Sequence, residues 1–327
     1  MPFVRNTLHF VLCVSLLTAL AAAGTCENEE GAECDGASLA AAPPAQSPTV
    51  PPECQDLVAF AADPERLATD RARWDTATSQ GRRRNWLPIT DEDMHLFTPN
   101  GRCDIQRLDA AEVTPARFKK EFLEQKPVIV RGAVDGAPFA AMSQRAVLLY
   151  CFGNFDVILS TANQNSYTKL TAPFAEYVTT MVQRQTLNAT GIGTWYFFGD
   201  NHYGEWSPLF QHYRAPKKYI FSEHTSLSFG IGGSGSGVPF HTHGHVWAEV
   251  FHGQKRWFLK APGPEPPFDG DSTSLKWIVE TYPTLPAVER DAILDCTCGP
   301  GDAIYIPSMW HHSTLNIGEA VFMSAFV

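Results

Sequence analysis

Two histidine-containing motifs constrain the fold of this chain more than any other feature. The first, at 238–243, reads Val-Pro-Phe-His-Thr-His; the second, at 301–312, runs from a glycine through an apolar segment and a proline to His312. Residues i and i+2 of an extended segment face the same side, so His241 and His243 can point at one place. A β-barrel would bring His312 to them from a distant strand. The motifs therefore predict a three-histidine site that suits Fe, Zn, Cu or Ni.

Short apolar segments separated by Gly, Pro and Asp fill the chain after Tyr219. Strands at such spacing are typical of a sandwich or a barrel. Helical signals are fewer: Thr114 and Pro115 provide a cap and a first-turn proline, and 54–79, 173–185 and 274–282 have helical apolar spacing. We expect a mainly β fold with added helices, with strands at 127–132, 155–160, 194–198, 227–231, 246–251, 256–259, 303–306 and 321–326.

The spacing of glycine, histidine and proline resembles the pattern of the cupin superfamily. That pattern has a Gly, five residues, His-x-His, a Glu and a Gly, and later a Gly, five residues, Pro, four residues, His, three residues and Asn. The resemblance implies a double-stranded β-helix, or jelly roll. We expect Asn316 to cap the Asn-Ile-Gly turn. The matching residues are Gly235, His241, His243, Glu249, Gly253, Gly301, Pro307, His312 and Asn316.

Three further segments narrow the resemblance to JmjC-type cupins. The segment 253–259, Gly-Gln-Lys-Arg-Trp-Phe-Leu, is similar to their Gly-x-Lys-Arg strand, and 299–307 is similar to their Pro-Gly-Asp strand. The segment 122–132 is similar to the opening of these domains. The resemblance covers about 103–327, which we expect to be the JmjC/cupin domain.

JmjC oxygenases bind Fe(II) and 2-oxoglutarate, and the resemblance implies roles for particular residues. It carries His241 and His312 over as iron ligands, with His243 at the third position. Lys255 becomes the partner of the distal carboxylate of 2-oxoglutarate, because an ammonium and a carboxylate form a charge-assisted pair. The implied activity is hydroxylation of a protein side chain.

This chain departs from the JmjC pattern at the metal site. His243 stands where the family has Asp or Glu, so the site has one negative charge fewer and also admits Zn or another divalent ion. Val238 replaces a hydroxyl residue, and Val246 or Trp247 replaces an Asn, so hydrogen bonds to the co-substrate are lost. Glu249 is a further candidate ligand that would restore a carboxylate.

Two functions therefore remain open. One is an Fe(II)- and 2-oxoglutarate-dependent protein hydroxylase with three histidine ligands. The alternative is a non-catalytic JmjC-fold protein that acts through protein contacts as a regulatory or signalling factor. In both cases we expect a protein partner or substrate. The formal net charge of −10 argues against binding to nucleic acid.

The N-terminus has the pattern of a secretory signal peptide at 1–23. Arg5 precedes the apolar run 8–20, and three alanines at 21–23 offer small residues for cleavage. The run is short for a membrane span; an uncleaved anchor is the alternative. We expect the secretory pathway, in particular the endoplasmic reticulum lumen, and no stable membrane span after cleavage.

The segments between the signal and the cupin domain differ in composition. Residues 24–53 are rich in Ala, Pro and Ser and lack an apolar period, which predicts a disordered linker. Residues 54–102 carry the helical pattern noted above and predict a helical N-terminal extension.

Cysteine usage and a sequon bear on the compartment. Of eight cysteines, Cys13 lies in the predicted signal, so an odd number remains and at least one thiol is unpaired within a monomer. An oxidising lumen permits disulfides. Cys296 and Cys298, two apart on one strand, would make a strained pair, so we expect pairing elsewhere or free thiols. Asn188-Ala189-Thr190 is a glycosylation sequon.

The mature protein is expected to begin near Gly24 or Thr25 and to carry a glycan on Asn188. N-terminal sequencing, with mass measured before and after endoglycosidase, tests both points, and Asn188→Gln should remove the mass shift. Recovery of Met1 with no shift would contradict the prediction.

Overall fold

The computed structural model describes residues 49–63, 85–164, 166, 168–199, 201 and 203–327. The predicted signal peptide and most of the predicted linker lie outside these ranges, as do Cys26, Cys34 and most of the predicted helix 54–79. Within the described ranges, no helix has the length and apolar character needed to cross a bilayer.

Ten strands run through the described ranges and form two sheets. They are β1 Arg107–Asp109, β2 Val128–Arg131, β3 Asp156–Thr161, β4 Lys169–Pro173, β5 Trp195–Tyr196, β6 Ser226–Gly232, β7 Val246–Lys260, β8 Ile293–Cys298, β9 Asp302–Ile306 and β10 His311–Phe326. The larger sheet has the order β1-β2-β9-β7-β10-β6, with β8 paired to β7, and the smaller has the order β4-β3-β5. This mainly antiparallel arrangement confirms the predicted jelly-roll cupin class.

The long strand β7 connects the parts of the larger sheet. One edge pairs with β10 over nearly its whole length. The other edge pairs first with β9, through Val246–Glu249, and then with β8, through Lys255–Lys260. Because one strand belongs to both ladders, the two ends of β7 are held in a single framework, and this framework carries the candidate site.

Helices surround this β framework. Thr114 caps one of them, since its hydroxyl oxygen accepts a hydrogen bond from the Arg117 amide at 3.1 Å. The α-helices are Leu57–Ala61, Pro115–Glu121, Ala137–Met142, Arg145–Phe152, Phe174–Glu176, Tyr203–Phe210, Ser274–Lys276 and Ala287–Asp291. π-Helical turns at Tyr177–Met181 and Trp277–Thr281 continue two of them, and the 3-10 turns are Pro52–Cys54, Asp91–Leu96, Pro99–Gly101, Lys217–Tyr219 and Tyr282–Thr284.

The prediction of separate strands at 246–251 and 256–259 was wrong, because β7 is continuous through Gly253. Gly253 has φ +66°, and a Cβ there would lie 2.7 Å from the carbonyl oxygen of Glu319. The glycine therefore permits a close approach of two backbones instead of ending the strand. Pairing of β7 with β10 also changes register around Val321.

The chain that precedes the β framework is tied to it by buried polar contacts. The Arg256 guanidinium donates to both carboxylate oxygens of Asp295, at 2.9 and 2.6 Å, and to the backbone carbonyls of Leu96 and Phe97. Both charged side chains are almost fully buried. The pair thus joins β7 to β8 and also holds the 3-10 turn Asp91–Leu96.

Two disulfides make further links. Cys54 is bonded to Cys151, and Cys103 is bonded to Cys296 on β8. Cys298 is a buried free thiol. Cys296 therefore pairs with a distant cysteine and not with its neighbour on the same strand.

Arg256→Gln should destabilise the protein by about 3–5 kcal/mol, because it leaves the Asp295 carboxylate buried without its charge partner. Arg102→Gln is the control, since Arg102 pairs with Asp104 at the surface and such pairs contribute about 1 kcal/mol or less. Urea unfolding of both variants measures the difference. Equal losses would contradict the structural role given to the buried pair.

Candidate metal centre

Three imidazoles meet where β10 begins. His312 is the second residue of β10, and His241 pairs with it through two backbone hydrogen bonds, from the His241 amide at 3.1 Å and from the His312 amide at 3.0 Å. His243 lies beyond this bridge, in the loop before β7. The expected regular strand through His241 and His243 is absent there. Pro239 has no N–H and cannot continue the ladder before the bridge, and the chain after His241 is a loop.

The distances between the three rings are short. One ring nitrogen from each of His241, His243 and His312 lies within 4.8 Å of the others. The Nε2 atoms of His243 and His312 are 3.0 Å apart. Two nitrogens bound at right angles to one ion, each at about 2.1 Å, are separated by about 3.0 Å. The spacing thus suits ligands of one divalent ion.

The backbone sets which nitrogen of each ring is free. Nδ1 of His241 lies 2.8 Å from the Pro239 carbonyl oxygen, Nδ1 of His243 lies 2.6 Å from that of Gly244, and Nδ1 of His312 lies 2.9 Å from that of Trp310. A carbonyl only accepts, so each Nδ1 must carry the hydrogen. Each Nε2 then presents a lone pair, which is the arrangement of metal-bound histidines whose other nitrogen donates to the backbone.

Burial keeps the three rings neutral. It lowers the pKa of His241 to about 4, with a smaller contribution from the neighbouring imidazole of His243. Burial and the two neighbouring imidazoles lower the pKa of His312 well below its usual value, and burial also lowers that of His243. Only neutral imidazole binds a metal, so the site is ready for an ion at physiological pH.

The Lys255 side chain lines the same cavity as the three histidines. Lys255 pairs with Asn316, and His312 pairs with Leu259. Lys255 and His312 are therefore four residues apart along the ladder, or about 13 Å. Aromatic and aliphatic side chains supply most of the remaining wall. They are Phe198, Val238, Val246, Trp257, Phe322 and Phe326.

Lys255 is buried without a carboxylate partner among the described residues. Its Nζ donates to the Tyr196 hydroxyl at 3.3 Å and lies 3.7 Å from the centre of the Phe322 ring. Burial lowers the pKa of Lys255 to about 7. A buried ammonium held only by a phenol and a ring face leaves room in its coordination for an anion.

The polar groups that support Lys255 were not predicted from the sequence. Asn316 does not cap a turn; it is fully buried within β10, and its Nδ2 donates to the Tyr196 hydroxyl at 2.9 Å and to the Ser236 hydroxyl at 3.1 Å. Tyr196 was predicted only as part of an aromatic strand. The alternation of β10, in which Asn316 and His312 share a face, is the signal that could have found Asn316.

Glu249, the further candidate ligand, lies elsewhere, as do two neighbouring histidines. Glu249 does not belong to the converging group of described residues; its carboxylate accepts a hydrogen bond from the Tyr213 hydroxyl at 2.7 Å. Trp247 and Phe251 lie on the same side of β7 as Glu249. They pack in hydrophobic clusters different from the one that contains Val246, a residue of the cavity wall. His245 contacts Glu124, and Nε2 of His311 lies 3.0 Å from the Gly263 carbonyl oxygen.

Comparison with known proteins gives consistent relatives. No family model matches the chain. Over 226 residues it is 45% identical to JmjC domain-containing protein 8 of Rattus norvegicus, covering 69% of this chain and 82% of that protein. The Homo sapiens protein of the same name is 43% identical over the same share of this chain, with 84% of its own length covered.

A solved structure of low similarity is the ribosomal oxygenase YcfD of Escherichia coli, in complex with cobalt and succinic acid. It is 17% identical with a TM-score of 0.40, and the match covers 66% of this chain and 51% of that one.

Glu249→Gln should change the pH dependence of stability. Burial raises the pKa of Glu249 from 4.5 to about 7, against the lowering effect of the Tyr213 hydrogen bond. The folded state therefore binds a proton that the unfolded state releases between these values. The stabilisation is complete below pH 4.5 and is lost as pH rises through 7, with a total on the order of 3 kcal/mol.

Urea unfolding between pH 4.5 and 8 measures this effect. The glutamine variant should lose less stability across the range than the parent protein, whereas Glu280→Gln, at an exposed position, should follow the parent curve. Identical curves for the parent and Glu249→Gln would show that Glu249 titrates normally.

Proposed function

Because the chain belongs to the JmjC-domain family, we propose that it is a lumenal metal-binding protein of the Fe(II)/2-oxoglutarate protein hydroxylase type, in which His243 makes turnover slow. The observation that carries the proposal is the convergence of three neutral imidazoles, each with its Nδ1 held by a backbone carbonyl. The buried Lys255 ammonium in the same cavity supports the co-substrate part of the proposal.

His241, His243 and His312 would hold the ion. When bound, Fe(II) supplies the chemistry that couples oxygen to 2-oxoglutarate in this family. The carbonyl oxygens of Pro239, Gly244 and Trp310 orient the rings and fix their tautomers, so little reorganisation accompanies binding. Three neutral ligands give the centre one negative charge fewer than two histidines and one carboxylate would. The preference for Fe(II) over Zn or another divalent ion should therefore be weaker than in the family pattern.

Lys255 would bind the distal carboxylate of the co-substrate. The Tyr196 hydroxyl lies 3.3 Å from its Nζ and is itself held by Asn316, so the ammonium has a fixed support. Val238 and Val246 line the cavity but offer no side-chain hydrogen bond. The Thr314 and Ser324 hydroxyls also line the cavity. Affinity for the dicarboxylate would therefore rest mainly on the Lys255 ammonium and the bound ion, and it is expected to be modest.

The two disulfides support a lumenal location. Cys54–Cys151 and Cys103–Cys296 would be unstable in a reducing cytosol, whereas secreted and endoplasmic reticulum proteins keep such bonds. The exposed position of Asn188 also suits glycosylation. Together with the signal-like N-terminus, these features support the proposal that the protein partner or substrate is met in the same compartment.

The second candidate function is a non-catalytic regulatory role through protein contacts. The favouring observation is the absence of any carboxylate from the converging group of described residues.

Metal binding is the first part of the test. His312→Ala should abolish stoichiometric binding of Zn or anaerobic Fe(II) and the thermal stabilisation that binding gives. His311→Ala is the matched control, because it removes the adjacent histidine, whose ring contacts Gly263 and not the centre. Unchanged metal content in His312→Ala would refute the proposed site.

Co-substrate turnover is the second part. The parent protein should bind 2-oxoglutarate weakly and decarboxylate it slowly, and Lys255→Met should abolish binding while keeping the metal. His243→Asp should increase decarboxylation, because it restores the carboxylate ligand. Fast parental turnover that His243→Asp lowers would favour a genuine three-histidine oxygenase. No turnover by either protein, with metal bound, would favour the regulatory role.

A further inference from the structure

Basic residues are concentrated in two segments of this acidic chain. The formal net charge is −10, yet 117–126 and 214–221 together carry seven basic and two acidic residues. Far from this region the field of the whole protein is negative. Within a Debye length of about 8 Å, however, a ligand responds mainly to the local charges.

Direct contacts join the two segments into one surface. The Phe118 ring packs against Tyr219 at 5.3 Å and Phe221 at 6.2 Å. The Lys119 ammonium lies 4.1 Å from the centre of the Phe221 ring, and Lys218 Nζ donates to the Ala110 carbonyl at 3.1 Å. We call the exposed cations of these segments the basic surface: Lys119, Lys120, Lys126, Arg214, Lys217 and Lys218.

The cations of the basic surface have no carboxylate partner among the described residues. The two acidic residues of 117–126 are engaged elsewhere: Glu121 pairs with Arg117, and Glu124 contacts His245. Exposed charges usually sit among opposite charges on a protein of this composition. Exposed carboxylates flank the two segments at Asp109, Glu112 and Glu223. The six cations outnumber them, which raises the local potential and favours an anionic ligand.

An aromatic groove borders the basic surface, since Lys119 contacts the Phe221 ring in its wall. Its walls include Leu123, Tyr219, Phe221, His245, Trp247 and Tyr305, together with Glu124, which contacts His245. Phe221 is 42% exposed, which is unusual for a phenylalanine in a structured segment. The groove thus offers apolar contact beside the cations.

The groove and the metal cavity are linked by a short stretch of chain. His245 is two residues from His243, and Trp247 follows Val246, which lines the metal cavity on the other face of β7.

We propose that the basic surface is the docking site for an acidic polypeptide whose apolar side chain enters the aromatic groove. A polypeptide fits better than an anionic membrane. A membrane is an extended negative plane that meets the repulsion of the whole acidic protein, whereas a short peptide contacts only the local cations. The groove also has room for an apolar side chain of the peptide. That the docked chain is the substrate of the metal centre rests on the proposed function; the docking itself does not.

A glutamate-rich peptide containing one phenylalanine, its glutamine counterpart, and phosphatidylserine vesicles are the probes. Binding to the full-length protein is measured by titration at low and physiological salt. The test variant combines Lys119→Gln, Lys120→Gln, Lys217→Gln and Lys218→Gln. The control variant removes four cations outside the surface, by Arg102→Gln, Lys260→Gln, Lys276→Gln and Arg290→Gln.

The glutamate peptide should bind the parent and the control variant, and its affinity for the test variant should fall roughly tenfold or more, because four ion pairs are lost. Added salt should weaken binding. Phe221→Ser should weaken the peptide with phenylalanine and leave one with serine in its place unaffected. His312→Ala should bind the peptide normally, which separates this inference from the metal site.

Three outcomes would overturn the inference. They are no binding of the glutamate peptide by the parent, equal losses in the test and control variants, or binding of vesicles without binding of the peptide. The last would assign the basic surface to a membrane.

Discussion

The antiparallel pairing of β7 with β10 is the interaction on which the candidate site depends. It fixes Lys255 opposite Asn316 and His312 opposite Leu259, and the backbone bridge between His312 and His241 extends the pairing into the loop that carries His243. Backbone hydrogen bonds of a ladder fix side-chain direction to one of two faces. Two distant motifs therefore share one cavity because one ladder holds them.

Electrostatics gives this cavity its chemical character. Burial disfavours charge, so the three imidazoles stay neutral and become ligands. The same burial destabilises the Lys255 ammonium. Its contacts with the Tyr196 hydroxyl and the Phe322 ring partly offset that cost. The three neutral imidazoles could donate to a divalent ion, and the poorly compensated cation would attract an anion. Because His243 stands in place of a carboxylate, the site has one negative charge fewer but keeps a third ligand atom.

The local parts of the structure were largely predictable. Short-range rules identified the capped helix at Thr114, strand β2 and strand β9, and the spacing of the motifs identified the fold class and the three histidines. The errors arose where a residue serves a distant contact. Gly253 resembles a strand break but allows the Glu319 backbone to approach, and Asn316 resembles a turn residue but supports Tyr196. Strand alternation could have put Asn316 on the face of His312, but no local signal in the sequence identifies Tyr196 or the Glu319 backbone as the partners.

The sequence by itself determined the chemistry available to this protein: the imidazoles, the lysine, the missing carboxylate, the acidic net charge and the signal-like N-terminus. Composition and spacing report which groups exist and how they alternate along a strand, and these properties are local. Only the tertiary structure decided which groups meet. It excluded Glu249 from the histidine group, paired Cys103 with Cys296, and joined two basic segments over Phe118, because such contacts depend on strand register and packing between residues far apart in the chain.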